Sequence, residues 1–300
     1  NLRKPGEIDP APVDAQIRAT SPTRTVASPA FLRRLVDHAS LHGRPLDTFR
    51  QVYTGGAPVF PRMLDAIATA APNARVVAVY GSTEAETIAK IERQEISADD
   101  RAAMARGAGL LAGHPVPSIQ LRILMDRWGR PVGPCTHAEL EHATLAAGQI
   151  GEIVVTGDHV LGGYLDGKGE ALTKIRVGQA IWHRTGDAGY LDRHGRLWLL
   201  GRCAEKASDA HGVLYPFAVE CAADHVEDVE RTAFIVHAGH RLLAAQVRGD
   251  AARVRTRLFE CLSWARLADV VIIDRIPVDR RHNAKVDYPA LRRLLDRVRR

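Results

Sequence analysis

Arg75-Val76-Val77-Ala78-Val79-Tyr80-Gly81-Ser82-Thr83-Glu84 runs from an apolar stretch straight into a glycine turn. The stretch is rich in β-branched Val and short, so it predicts a strand over 75–80 buried on both faces, the kind found in parallel sheets. Upstream, residues 49–53 and 24–27 predict two further strands. Residues 30–40, with Phe31, Leu32, Leu35 and Val36 on one side, predict a helix between them, and 61–70 predict another. Strand, helix, strand, helix, strand is the grammar of βαβ units, so the first fold class read here is α/β with a parallel sheet. In such sheets ligands gather beyond the carboxyl ends of strands, which is where Tyr80 to Glu84 fall.

After about residue 110 the texture changes. Residues 119–124, 151–156 and 196–200 read as strands between turns of Gly, Pro, Asp and His, predicting a small, mainly antiparallel β subdomain. A polar stretch over 202–212, with Asp209, His211 and Gly212, reads as a hinge or linker. Beyond it, helices over 217–224, 251–264 and 288–298 and strands over 232–237, 242–247 and 270–274 predict a compact α+β domain. The expected organisation is therefore α/β plus α+β. Residues 1–201 form part of a large domain (sheet 1–110, β subdomain 111–201), 202–212 a hinge, and 213–300 a small mobile domain.

Apolar residues make up 46% and charged residues 25% of the 300, the balance of a globular chain with a real core. No apolar run approaches the roughly 20 residues that span a bilayer. The opening Asn1-Leu2-Arg3-Lys4-Pro5-Gly6-Glu7 has no initiating Met and no signal-peptide order, which suggests a truncated chain. Cys135, Cys203, Cys221 and Cys261 are scattered, so neither a disulfide framework nor a zinc site is expected, and a reducing cytoplasm fits. The net charge is +6, and Arg292, Arg293, Arg297, Arg299 and Arg300 crowd the end of the chain. That crowding suits a nucleic-acid or acidic-membrane tail less well than the solvated face of an amphipathic helix whose other side carries Leu291, Leu294, Leu295 and Val298. No nucleic-acid partner is expected.

The residues at the turn each have a possible job. Gly81 lets backbone approach a ligand, the Thr83 hydroxyl can donate to a phosphate oxygen, Glu84 can hold magnesium, and the Tyr80 ring can stack on a purine. Alone, the pattern fits a capped helix start better. Tyr53-Thr54-Gly55-Gly56-Ala57-Pro58 also follows a strand, and its glycines suit either a flat heterocycle lying on the backbone or a plain turn into a proline-started helix. In Thr185-Gly186-Asp187 the carboxylate can accept from both hydroxyls of a ribose, and Gly201-Arg202 adds a fixed cation.

Taken in order, these blocks resemble the adenylate-forming superfamily of acyl-CoA synthetases, peptide-synthetase adenylation domains and beetle luciferases. The matching blocks lie at 55–58, 80–84, 151–153 with 163–164, 185–187, 201–202 and 285, nearly the whole chain. The resemblance implies that ATP and magnesium activate a carboxylic acid, a small-molecule substrate, as its acyl-adenylate, with coenzyme A as one possible acceptor. It implies a nucleotide-binding set of Gly55, Gly56, Ala57, Pro58, Tyr80, Gly81, Ser82, Asp187 and Arg202, with Gly55, Gly56, Ala57 and Tyr80 against adenine and Asp187 and Arg202 on ribose. It gives Thr83 the α-phosphate, Glu84 the magnesium, and Lys285, on the mobile domain, the bridge between carboxylate and α-phosphate.

The departures from that family are as telling. Nothing between residues 1 and 50 resembles its Ser/Thr/Gly-rich phosphate loop, so the fragment alone is expected to bind ATP weakly and catalyse poorly. Ala204 stands where the hinge usually has Asp or Lys, leaving Glu205 or Lys206 to take over. The loop 277–285 lacks the usual Ser-Gly or Thr-Gly before its lysine; with 213–216 and 219–221 it is most similar to the β-lactone synthetases of bacterial olefin biosynthesis. In those, a long-chain 3-hydroxy acid is adenylated and its own hydroxyl displaces AMP, among other pathway enzymes. The expected function is activation of a fatty or 3-hydroxy fatty acid followed by lactone formation or transfer to coenzyme A. The alternative is a non-catalytic remnant or interaction module that keeps the fold.

Other clusters weigh less. His137, Glu139, Glu141 and His142 lack the His-Glu-x-x-His spacing of a metal site and read as a polar loop. Asp99-Asp100 reads as a helix N-terminus, and His282 as structural rather than as a base for the 3-hydroxyl.

Overall fold

The computed structural model describes residues 7–279 and 285–298; His282 and the tail beyond 298 lie outside them. β1 (Arg24–Ala27), β2 (Gln51–Gly55) and β3 (Arg75–Ser82) are parallel neighbours, with Val26, Tyr53 and Val77 in register. The helices α1 (Pro10–Thr20), α2 (Pro29–Leu41) and α3 (Pro61–Ala70) each carry proline in the first turn, where its missing N–H leaves no bond unmade. Leu32, Leu35 and Val36 of α2 and Met63, Leu64 and Ile67 of α3 are buried in one core with Val52 and Val76 of the strands.

Beyond Ser82 the chain does not enter a helix. It turns into β4 (Glu86–Glu92), antiparallel to β3, with a bulge between Tyr80 and Gly81. A Cβ on Gly81 would lie 1.7 Å from the Glu86 carbonyl oxygen, so only glycine lets the two strands close here. α4 (Ala98–Ala105) opens on a capping box in which Ser97 and Asp100 bond each other's backbone, as Asp99-Asp100 suggested.

The remaining strands of the first part are β5 (Leu110–Pro115), β6 (Gln120–Leu124), β7 (Gly151–Thr156), β8 (Lys174–Val177), β9 (Ala180–Leu191) and β10 (Leu197–Arg202). They extend the same sheet antiparallel, in the order β1-β2-β3-β4-β5-β10-β9-β7-β6 with β8 on β9, ten strands in all. Because β5 pairs with β4 on one side and β10 on the other, the mainly antiparallel stretch continues the sheet rather than forming a separate one. Two helices interrupt it, α5 (His137–Ala143) and α6 (Glu170–Thr173). The segment read as a polar loop is thus α5: Thr136 caps it, Glu139 returns the bond to the Thr136 amide, and Glu141 pairs with Arg122 at 2.8 Å.

Across the end of the expected linker and the two residues after it lies a short hairpin, β11 (Ala207–Asp209) with β12 (Gly212–Leu214). It leads to α7 (Pro216–Ala223), β13 (Val229–His237), β14 (His240–Val247), α8 (Ala251–Cys261), β15 (Asp269–Ile272) and α9 (Tyr288–Val298). β14 is antiparallel to β13 and parallel to β15. Side chains alternate across this sheet: Phe234 and Leu243 join Val219, Val254 and Leu258 on one face, and Ile235 and Leu242 join Leu291 and Leu295 on the other. α7 is buried on all sides, because Val219 enters this core while Cys221 and Phe217 meet the first part, Phe217 edge-on to Phe60 at 6.1 Å. Among the described residues no helix is long and apolar enough to cross a membrane.

Candidate active site

A cleft of about 980 Å³ opens where the carboxyl ends of β2 and β3, the junction of β9 with β10, and the C-terminal part meet. Gly56, Ala57, Pro58, Tyr80, Gly81, Ser82, Asp187, Arg202 and Lys285 all line it, although they span some 230 residues of sequence. A smaller hollow of about 280 Å³, between Ala68 and Gln94, contains none of them.

Three elements place the polar corner of the cleft. Pairing of β9 with β10 sets Asp187 opposite Arg202, and the Arg202 Nη1 donates to Asp187 Oδ1 at 3.0 Å and to the Thr185 carbonyl at 3.2 Å. From β3, the Tyr80 hydroxyl donates to Asp187 Oδ2 at 2.9 Å. Burial, and then the Asp187 charge beside it, hold the Tyr80 hydroxyl well above its ordinary pKa, so it stays a neutral donor. Thr185 steadies the turn: its hydroxyl donates to the Ile153 carbonyl at 2.9 Å and accepts from the Asp187 amide at 3.0 Å. The corner is a carboxylate with both oxygens oriented and its side chain still 19% exposed, an acceptor for hydroxyl groups.

The glycines at 55 and 56 differ in their reasons. A Cβ on Gly55 would meet the Val79 carbonyl oxygen at 2.5 Å, so close strand packing demands glycine there, and Gly55 does not line the cleft. Gly56 has φ of +81° and open space where a Cβ would stand, and it does line the cleft.

Thr83 and Glu84 sit in the β3–β4 turn and do not line the cleft; Thr83 is exposed. Glu84 is embraced by the segment that follows β7. Its carbonyl accepts from the Leu161 amide at 2.7 Å, and its Oε1 accepts from the Tyr164 hydroxyl at 3.2 Å. His183 Nε2 lies 4.0 Å from Oε2, and buried Lys174 donates to the Leu161 carbonyl and stands 5.4 Å from the centre of the Tyr164 ring. Burial alone would raise the Glu84 pKa, but the bonds from its own backbone amide and the Tyr164 hydroxyl help to outweigh it and the carboxyl stays ionised. His183 is the opposite case: burial, then the Lys174 charge, push it down to about 4, so it is neutral. Tyr164 falls in the block at 163–164, which the sequence leaves without a contact, and nothing in the sequence pattern singles out Lys174 or His183.

Beneath Asp187 lies a buried ion pair that the sequence did not single out. Arg184 bonds Glu152 at 2.6 to 3.2 Å, donates to the Arg130 carbonyl at 2.7 Å, and sits 5.4 Å from the centre of the Trp128 ring. Trp128 also fills the space beside Gly186.

Lys285 is exposed, and its backbone is tied to Asp279. The Asp279 amide donates to the Lys285 carbonyl at 2.8 Å, the Lys285 amide donates to Asp279 Oδ1 at 2.9 Å, and Val278 bridges Val286. Among the described residues no group of three or more His, Cys, Asp or Glu side chains is arranged to hold a metal ion by itself.

Comparison with known proteins fits this geometry. The profile of the AMP-binding enzyme family matches residues 3–165. The chain is 33% identical to an olefin beta-lactone synthetase of Stenotrophomonas maltophilia over 304 aligned positions, 94% of this chain and 53% of that protein. It is 31% identical to one of Xanthomonas campestris, with coverage of 94% and 53%. Among solved structures, the amide bond synthetase from Marinactinospora thermotolerans matches with a TM-score of 0.74 and 25% identity, covering 96% of this chain and 55% of that one. ATP-bound MatB from Rhodopseudomonas palustris matches with a TM-score of 0.72 at 20% identity, over 98% and 54%, a likeness of fold. The chain spans about half the length of the curated relatives it matches.

Proposed function

The chain belongs to the AMP-binding enzyme family, and from that premise we propose that it carries the adenine, ribose and lysine side of a site that activates a carboxylic acid with ATP. The observation that carries this reading is the convergence of Gly56 to Pro58, Tyr80, Asp187, Arg202 and Lys285 on one cleft. In it, Gly56, Ala57 and the Tyr80 ring bracket adenine, and Asp187, oriented by Tyr80 and Arg202, accepts from the ribose hydroxyls. Lys285 brings its charge to the point where substrate carboxylate and α-phosphate meet and negative charge is greatest. Thr83 lies in the turn below, where its hydroxyl reaches a phosphate oxygen only if the triphosphate extends over that turn.

Magnesium carried by a triphosphate needs only one or two protein carboxylates, and ionised Glu84 suits that part, where the ion would neutralise phosphate charge. The domain division follows from the same reading: residues 1–201 as part of the large unit, 202–212 as the hinge and 213–300 as the mobile unit. The acid we propose is a long-chain 3-hydroxy acid, whose own hydroxyl displaces AMP to close a β-lactone. Support comes from the two relatives named olefin beta-lactone synthetases. The test is incubation of the complete enzyme with ATP and a 3-hydroxy acid without coenzyme A, followed by mass spectrometry. Lactone is the expected product. Thioester on addition of coenzyme A, with no lactone in its absence, overturns the lactone assignment. Absence of pyrophosphate release with any acid overturns carboxylate activation itself and leaves a non-catalytic remnant.

A further inference from the structure

Asp126, in the turn after β6, does not line the cleft, yet its side chain is 6% exposed and bonded on both oxygens. Oδ2 accepts from Lys206 Nζ at 2.6 Å and from the Tyr215 hydroxyl at 2.7 Å, and Oδ1 accepts from the Trp128 amide at 3.0 Å. Lys206 and Tyr215 stand at the two ends of the hairpin β11–β12, so one carboxylate of the large sheet holds both ends of the connection between the two parts.

The neighbouring side chains pull the other way. Glu205 pairs with Arg292 of α9 at 2.5 Å, and Asp209 is held by Arg241 of β14 through two bonds of 2.7 Å. The hairpin therefore travels with the C-terminal part, while Lys206 ties that assembly back to the large sheet. Any rotation of the C-terminal part must break the bonds to Asp126. Ala204, with no polar group to offer, cannot do this work, so the tether lies two residues further along. The electrostatics agree: burial raises the Asp126 pKa, but the bonds from Lys206, Trp128 and Tyr215 outweigh it, leaving a buried carboxylate whose charge depends on those partners. Further ties lie beyond the hairpin: Arg62 of α3 donates to the Val226 and Val229 carbonyls, and Phe217 and Cys221 of α7 pack on the first part.

We infer that Asp126 is a positioning residue: through Lys206 and Tyr215 it docks the C-terminal part in the orientation that sets Lys285 on the cleft. The inference rests on the assignment of Lys285 above, and its test needs no nucleotide, so the two can fail separately. Cys261 on α8 is exposed and Cys135, bridged to Val177 of β8, is only half-buried, whereas Cys203 and Cys221 are buried, so the first two native thiols are the ones to carry a pair of spin labels. Pulsed electron resonance on the unsubstituted chain should give one narrow distance, and Asp126→Asn should add a second. In the same variant, amides over 203–215 should exchange roughly 10- to 100-fold faster, the factor expected for losing one charged hydrogen bond. Lys206→Met, which removes the partner and keeps Asp126, should produce the same second distance. A single unchanged distance in both variants overturns the inference whatever the linker exchange does, as does a second distance already present in the unsubstituted chain. If Asp126→Asn fails to fold, Lys206→Met alone decides the matter on the same reading.

Discussion

Replacing Glu220 by Gln should remove a pH dependence from the stability of this chain. Glu220, in α7, is 3% exposed, accepts from the Phe234 amide at 2.9 Å, and has the Tyr288 hydroxyl 3.5 Å away. Burial pushes its carboxyl up to about 7 from an ordinary 4.5, against the opposing pull of the Phe234 and Tyr288 bonds and the Arg231 charge. The native state therefore keeps a proton that the unfolded chain releases. In this acid, whose folded pKa is raised, the loss of stability begins as pH passes 4.5 and is complete above 7. Integrated from pH 5 to pH 8, the loss is roughly 2–3 kcal/mol. Gln keeps the acceptor for the Phe234 amide and cannot ionise. Urea unfolding of both forms at pH 5, 6, 7 and 8 is the assay: the unsubstituted chain should lose about that much more than Glu220→Gln between the extremes. All other titrating groups are common to both and cancel. Parallel pH profiles would refute the claim that Glu220 is buried as a neutral acid.

His183 should act in the opposite direction: its pKa falls from 6.5 to about 4 on folding, so stability is lost as pH drops through that window, by about 3 kcal/mol at pH 4. Denaturation of His183→Gln should show a flatter profile there, and an unchanged profile counts against a buried neutral imidazole. Arg184→Met leaves Glu152 as an uncompensated buried charge and should destabilise by about 3–5 kcal/mol, with Arg184→Met/Glu152→Leu recovering part of the loss; a double variant no better than the single one contradicts the pairing. In the complete enzyme, Lys285→Ala should slow pyrophosphate release by about 10²- to 10³-fold while sparing hydrolysis or capture of a supplied acyl-adenylate. Equal losses in both steps argue against its assigned place.

The βαβ opening was legible because each element carries its own signal: a Val-rich run for β3, proline at the head of α2 and α3, an apolar side on each helix. The Tyr80 to Glu84 turn misled in isolation, since Thr and Glu after a glycine suit a helix cap as well as a hairpin. The choice fell to the 1.7 Å approach of Glu86 to the place a Cβ on Gly81 would take. His137 to Ala143 misled the other way, because a polar segment of seven residues has too little periodicity to announce a helix, and a Thr136–Glu139 capping box decides it.

The sequence by itself determined the family, through short blocks whose order and residue types survive without any knowledge of contacts. Only the tertiary structure decided who meets whom: that Asp187 is held by Tyr80 107 residues away, that Glu84 turns to Tyr164 80 residues on, and that Asp126 anchors Lys206 and Tyr215. The physical reason is that periodicity and turn chemistry act over a few residues, whereas a buried hydrogen bond is chosen by the packing of whole sheets, which brings distant partners together and excludes the water that would otherwise serve each of them.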